Sequence, residues 1–110
     1  MSATAPKLNY DPKHSLMLQF HNVVKDFLDG KSTPRAYLEK CLKIIEETEP
    51  SVLAWVHLAT ENARASADEA TKRYRAGRQR SLIDGCPIAI KDIIDTSDMP
   101  TQMNSPIYTG

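Results

Sequence analysis

The most apolar segment of the chain, residues 82–94, constrains its fold more than any other feature. It holds six of the 23 leucine, isoleucine, valine and phenylalanine residues within thirteen positions. A short apolar run of this kind, with Gly85 and Pro87 near its start, is typical of a buried strand. A buried strand needs neighbours, and the chain offers at most one, the short β-branched segment 50–60. We therefore expect strands of a sheet that is incomplete within this chain.

Three amphipathic helices are predicted around these segments, the first two as an antiparallel pair. Apolar residues recur at helical spacing in the first two, and a stripe of small residues marks the third. Thr33 is a good N-cap residue, and Pro34 suits the first helical position. In chain order, the predicted helices run from Ser15 to Gly30, from Thr33 to a limit before Pro50, and from Thr60 to Gly77. Residues 1–14 are a polar arm, and residues 95–110 are expected to be loop.

Charge excludes several classes of partner. The 14 basic and 14 acidic residues balance, so the formal net charge is zero. Both halves of the chain are balanced as well, which leaves no basic or acidic tail for nucleic acid or for a membrane surface. No apolar run is long enough for a signal peptide or a membrane span. We expect a cytoplasmic protein without a nucleic-acid or membrane partner.

One local charge excess stands out near the end of the third helix. Five basic residues fall within nine positions: Lys72, Arg73, Arg75, Arg78 and Arg80. They could form a phosphate-binding patch. The favoured interpretation is that cations gather there because the helix dipole stabilises positive charge at a C-terminus.

Histidines and cysteines give no sign of a metal or cofactor site. The three histidines, His14, His21 and His57, fall on different elements without ligand spacing. We expect them on the surface or in packing contacts. Cys41 and Cys86 lie among apolar neighbours, which raise a thiol pKa, so inert core thiols are favoured over nucleophiles. No metal and no cofactor is predicted.

Lys91 lies inside the apolar segment and has two interpretations. At the end of a buried strand its amine would enter the space where α/β sheets bind ligands, and burial there can turn a lysine into a base. Alternatively, Lys91 forms a structural ion pair with Asp92 or Asp95, or extends outward from an edge strand. Composition alone favours the structural interpretation.

The sequence around Lys91 favours the catalytic interpretation over the structural one, because it resembles the amidase signature family. The family pattern is a Gly-x-Pro-aliphatic-small-aliphatic-Lys-Asp run, followed by a Pro-Thr turn and a serine loop. The run matches Gly85-Cys86-Pro87-Ile88-Ala89-Ile90-Lys91-Asp92 of this chain. The turn matches Met99-Pro100-Thr101, and the loop matches Asn104-Ser105. The resemblance extends upstream to the Ser32-Thr33-Pro34 helix start, to Ala54 and Trp55, and to the Ala63, Ala67, Asp68 helix. It covers roughly residues 15–110.

The resemblance implies a role for Lys91. In this family the matching lysine is the last member of a Ser, cis-Ser, Lys triad, and both serines lie beyond the stretch that this chain covers. Ser105 matches a loop serine of the family and neither catalytic one. The chain departs from the family pattern at Cys86, Asp84 and Asn104, where an aliphatic residue, histidine and glycine are usual. Asparagine tolerates a left-handed backbone, so the turn at Asn104 can survive.

The resemblance implies an α/β fold in which residues 15–110 are the N-terminal, truncated part of an amidase domain: helices plus the lysine-bearing strand of a mixed sheet. The intact enzyme would hydrolyse a small-molecule carboxamide or transfer ammonia from it, as a possible homo-oligomer, with Lys91 catalytic. The chain alone is expected to be inactive. The alternative is a non-catalytic helical interaction module in which Lys91 is structural.

Overall fold

The computed structural model describes residues 20–109, and these contain three α-helices. Their bounds are Phe20–Leu28 for α1, Pro34–Val52 for α2 and Thr60–Arg75 for α3. A 3₁₀ turn, Pro106–Tyr108, lies near the end of the otherwise irregular segment 95–109. The predicted polar arm, residues 1–14, and the predicted first turn of α1 lie outside the described residues. Within residues 20–109, no helix is both long and apolar enough to cross a bilayer.

The start of α2 confirms the capping prediction. Thr33 has an extended backbone, and its hydroxyl accepts a hydrogen bond from the Ala36 N–H at 3.1 Å. Pro34 opens the helix, where its missing N–H costs nothing. The preceding helix ends at Leu28, and the chain turns at Gly30, whose φ of 74° is readily adopted by glycine. The link between α1 and α2 could therefore be predicted from three neighbouring residues.

The end of α2 differs from the prediction. The helix continues through Pro50 to Val52 and closes on Leu53, which has a left-handed φ of 52°. Leu53 donates its N–H to the Glu49 carbonyl at 2.9 Å. A proline in the last turn removes a single backbone bond, so the remaining bonds carry the helix past it. The limit placed before Pro50 was wrong for this reason.

The core of the described region lies between α2 and α3. Leu38 of α2 and the alanines Ala67 and Ala70 of α3 are buried there, as the small-residue stripe predicts. Small side chains allow the two helix backbones to approach closely. The helix α1 joins this pair through aromatic side chains: the Phe27 ring packs edge-on against Tyr74 with centroids 5.3 Å apart.

Polar side chains fix how α2 and α3 are aligned. Thr71 of α3, which is buried, accepts a hydrogen bond from the Arg35 N–H at 3.2 Å. This bond satisfies one of the free N–H groups at the start of α2. Arg35 also pairs with Asp68 at 2.6 Å, and Arg64 pairs with Glu39 at 2.8 Å. All four charged side chains are partly exposed, so the ion pairs set alignment more than they add stability.

The predicted sheet is wrong. The part of the chain that the structure describes contains no strand, and both predicted strand segments are irregular. Residues 53–59 follow α2 as an extended link, and residues 82–94 form turns and open chain. The large aliphatic side chains of 82–94 are exposed, from 41% for Ile90 to 83% for Leu82. A strand exists only through hydrogen bonds to a neighbour, and the two segments do not provide them for each other. The described fold is therefore helical, not α/β.

Candidate functional site

An apolar groove of about 1020 Å³ runs between the helix pair and the segment 85–92. One wall comes from α2, where Leu38, Cys41 and Ile45 face it. The link 54–60 supplies Trp55 and His57, and the opposite wall is the segment that resembles the family signature. The groove is mainly apolar and partly open to solvent, and its polar lining residues include Thr60 and Ser66 of α3 as well as Lys91 and Asp92.

Lys91 lies on the groove wall at the end of the signature segment. Its side chain is exposed, in contrast to the buried strand position that the sequence predicted. Its carbonyl accepts hydrogen bonds from the N–H groups of Ile93 and Ile94, at 2.8 and 3.1 Å, which places Lys91 at the start of a tight turn. No carboxylate within residues 20–109 forms an ion pair with the Lys91 ammonium, so the pairing considered with Asp92 or Asp95 does not occur there.

Asp92 bonds instead to the backbone of the loop that follows. One carboxylate oxygen accepts the Gln102 N–H at 2.9 Å, and the other accepts the Asn104 N–H at 3.4 Å. Asn104 has a φ of 53°, so the left-handed turn expected where the family usually has glycine is confirmed. The Thr101 hydroxyl donates to the Ile94 carbonyl at 3.1 Å across the same loop. The loop beside Lys91 is closed by side-chain bonds.

Asp84 anchors the other end of the signature segment to α3. Its carboxylate accepts two hydrogen bonds from the Arg73 guanidinium, at 2.6 and 2.8 Å, and one from the Arg80 N–H at 3.1 Å. Tyr74 donates its hydroxyl to the Asp84 carbonyl at 2.8 Å. The Arg73 bonds, aided by the Arg80 N–H, lower the pKa of the Asp84 carboxyl from 3.8 to about 2. This fork of bonds to a nearly buried carboxylate holds the loop after α3 in place.

Gly85 allows the signature segment to pack directly on the helix pair. Its φ is 81°, and a Cβ atom built on it would lie 2.9 Å from two ring carbons of the buried Pro34. A methyl group would also come 3.4 Å from Ala70. The segment therefore approaches α2 and α3 at a point where only glycine fits.

The basic cluster at the end of α3 fits the helix-end interpretation better than a phosphate-binding patch. In the basic cluster Lys72 and Arg73 belong to the last turn of α3, and each pairs with a carboxylate, Glu69 and Asp84 respectively. This agrees with a role at the helix end. Among the residues that the structure describes, no three metal-ligating side chains converge.

The histidines and thiols fit the surface and packing roles expected of them. His21 and His57 are exposed, and His14 lies outside the described range. Burial raises the pKa of the Cys41 and Cys86 thiols, as predicted for inert cysteines, although both are only half-buried.

Comparison with known families identifies the class of this chain. The family model described as Amidase matches residues 36–110. The match covers more than half of the chain and includes the whole signature segment, the Asp92 loop and α3. The chain therefore belongs to the amidase family, which confirms the resemblance read from the residues around Lys91.

Individual relatives carry a more specific name. The chain is 43% identical over 81 residues to a glutamyl-tRNA(Gln) amidotransferase subunit of Chloroflexus aggregans, covering 74% of this chain and 17% of the relative. The Rhodopirellula baltica protein of that name is 32% identical over 88 residues, covering 80% and 18%. The human mitochondrial one is 36% identical over 81 residues, covering 74% and 15%. The chain thus spans less than a fifth of their length. No solved structure matches.

Proposed function

We propose that Lys91 is the proton carrier of an amidase active site whose other catalytic groups lie outside this chain. The intact protein would break the carbon–nitrogen bond of a carboxamide. The observation that supports this most is the position of Lys91: it stands on the wall of a large apolar groove, inside the stretch matched by the family, without a carboxylate partner among residues 20–109. The missing partner argues against the structural ion pair with Asp92 or Asp95.

The chemistry follows from the triad that the resemblance implies. A neutral lysine amine takes a proton from the middle serine, which takes one from the nucleophilic serine as that oxygen attacks the amide carbonyl carbon. The carbon–nitrogen bond then breaks, the proton returns to the leaving nitrogen, and ammonia departs while the acyl group stays on the serine oxygen as an ester. Water then attacks that ester, which releases the carboxylic acid and restores the serine. Lys91 can act only when both serines are present. The 110-residue chain alone should therefore show no turnover of simple carboxamides.

The relatives favour one version of this reaction. Because they are named amidotransferase subunits, we infer that ammonia released from an amide donor passes to an acceptor, with the protein working as one component of an assembly. When the ammonia is released to solvent and not passed to an acceptor, the overall reaction is hydrolysis of the same amide at the same site. Both begin with the same attack, so Lys91 has the same role in each.

The test uses a hybrid enzyme, in which this chain replaces the matched segment of the Chloroflexus aggregans relative. Lys91→Met keeps the length of the side chain but removes the amine, and the rate should fall by roughly 10² or more. Lys40→Met, at an exposed position of α2, is the matched control and should leave the rate unchanged. A Lys91→Met hybrid as active as the control would contradict the proposal.

That outcome would favour the competing interpretation, a non-catalytic helical interaction module. The exposed apolar side chains along residues 53–58 and 88–94 are the observation in its favour. The module predicts that Lys91→Met changes neither activity nor binding, whereas substitution of the exposed isoleucines weakens association. Assaying turnover of the hybrid enzyme separates the two.

A further inference from the structure

Asp92 bonds to two backbone N–H groups that lie ten and twelve residues further along the chain. Each of its carboxylate oxygens accepts a different backbone N–H, Oδ1 from Gln102 at 2.9 Å and Oδ2 from Asn104 at 3.4 Å. The intervening segment contains no regular helix or strand. Within the loop, the Thr96 hydroxyl donates to the Met99 carbonyl and the Thr101 hydroxyl to the Ile94 carbonyl, and the carboxylate adds the two bonds that tie Asp92 to the far end. We refer to this pair of bonds as the Asp92 clasp.

The backbone opposite Asp92 is shaped to meet a carboxylate. Met103 and Asn104 both have left-handed conformations, with φ of 48° and 53°. Turns that contain left-handed residues direct neighbouring N–H groups toward one point and form a concave anion-binding surface. A left-handed methionine is uncommon because its Cβ is crowded, and it persists only where other contacts hold it. The Asp92 carboxylate holds the two residues that flank Met103, Gln102 and Asn104.

The clasp also determines the path of the chain at Lys91. The Lys91 carbonyl is already held in the turn formed with Ile93 and Ile94, and the Ile94 carbonyl accepts the Thr101 hydroxyl. Asp92 lies inside this turn, directly after Lys91. Movement of the Lys91 backbone would therefore break bonds on both sides of the loop. Since Lys91 and Asp92 form no ion pair among the described contacts, the link between them passes through the backbone and not through charge.

We propose that Asp92 is a positioning residue for Lys91, which fixes the direction from which the lysine amine enters the active site by closing the loop onto Gln102 and Asn104. This inference rests on the proposed function of Lys91. It assigns Asp92 no contact with substrate and no proton transfer. Its effect is on the placement of an amine whose catalytic use depends on sub-ångström alignment.

The first test is made in the 110-residue chain by hydrogen exchange. Asp92→Asn preserves shape, but its amide nitrogen cannot accept a hydrogen bond, so one bond of the clasp is lost. The amide proton that loses its acceptor, that of Gln102 or that of Asn104, should exchange roughly tenfold faster, in line with loss of a bond of about 1.4 kcal/mol. Asp95→Asn, three residues further on and exposed, should affect neither proton. Unchanged exchange in Asp92→Asn overturns the clasp itself.

The second test uses the hybrid enzyme. Asp92→Asn should lower kcat by about 10- to 100-fold with little change in KM, and it should leave the pH dependence of kcat in place, because the lysine is displaced and not retuned. Asp95→Asn should match the unsubstituted hybrid. A shifted pH profile would mean that Asp92 acts through its charge, and an unchanged kcat would mean that it does not position Lys91. Either result overturns the inference.

The two proposals fail in different ways. If Lys91→Met leaves the hybrid enzyme active, the proposed function fails, and the inference that depends on it fails with it. If Lys91→Met abolishes turnover while Asp92→Asn does not lower it, only the positioning role is refuted. Should Asp92→Asn prevent the hybrid from folding, Asp92→Ser offers a second route: it replaces the two carboxylate oxygens of the clasp by a single, shorter-reaching hydroxyl oxygen, and an undiminished kcat in that variant also overturns the inference.

Discussion

Replacing Asp84 by asparagine should destabilise the chain by an amount that depends on pH. The substitution keeps the size of the side chain but removes the charge that receives the Arg73 fork. Folding lowers the pKa of this carboxyl from its ordinary value of 3.8 to about 2. Each pH unit of that difference corresponds to about 1.4 kcal/mol, and the Asp84 side chain is only 7% exposed, so solvent screens the pair little. The charge therefore contributes about 2 kcal/mol at pH 7.

The sign of the pH dependence follows from the direction of the shift. A carboxyl whose pKa is lower in the folded chain stabilises the fold above its unfolded pKa and loses that contribution as pH falls through the folded value. The difference between wild type and Asp84→Asn should stay near its full size down to about pH 4. It should fall to roughly half at pH 3 and vanish below pH 2, where both side chains are neutral.

Urea unfolding followed by circular dichroism at pH 7, 4 and 3 measures this difference, and NMR titration of the Asp84 carboxyl carbon measures the pKa directly. Asp98→Asn is the control, because Asp98 is exposed and its substitution should change stability by less than about 0.5 kcal/mol at every pH. An Asp84 carboxyl that titrates near its ordinary value, or a stability difference that does not change with pH, would refute the reasoning.

Two further predictions concern the signature segment. Gly85→Ala should destabilise the chain by roughly 1–3 kcal/mol more than Gly77→Ala, because both glycines have positive φ but only a Cβ at Gly85 would meet Pro34. Equal losses of stability in urea unfolding would show that backbone strain alone accounts for both substitutions. Hydrogen exchange on the 110-residue chain should be slow in α2 and α3 and fast through residues 88–92, whose N–H groups donate to no backbone carbonyl among residues 20–109. Slow exchange in 88–92 would mean that this segment is held by contacts that the described fold does not show.

The helices could be predicted because their signals are local. Gly30, Thr33 and Pro34 each act through their own backbone geometry, so a few neighbouring residues suffice to place the start of α2. The buried stripe of α3 follows from periodicity alone. The prediction of a sheet was wrong because β-propensity describes how well a side chain fits a paired, half-buried surface. Nothing in the residue pattern guarantees a pairing partner. Pro50 misled the prediction because its cost depends on where in a helix it falls.

At the candidate site too, some residues could be singled out from the sequence and others could not. Lys91 was found because the residues on both sides of it form a recognisable run. Asp84 and Asp92 were noted only as a departure from the family pattern and as an ion-pair partner, yet each bonds backbone or side-chain donors up to twelve residues away. Aspartates that bond distant loop N–H groups leave only a weak trace in sequence, an acidic residue followed by a left-handed turn of asparagine or glycine. Their roles depend on the folded path of the chain.

The exposed isoleucines of residues 88–94 have a consequence for the 110-residue chain on its own. Uncovered aliphatic side chains on open backbone are sites that proteases reach and through which chains associate. Proteolysis of the isolated chain should therefore begin in this segment, and its rate should depend much less on the strength of the α2–α3 core.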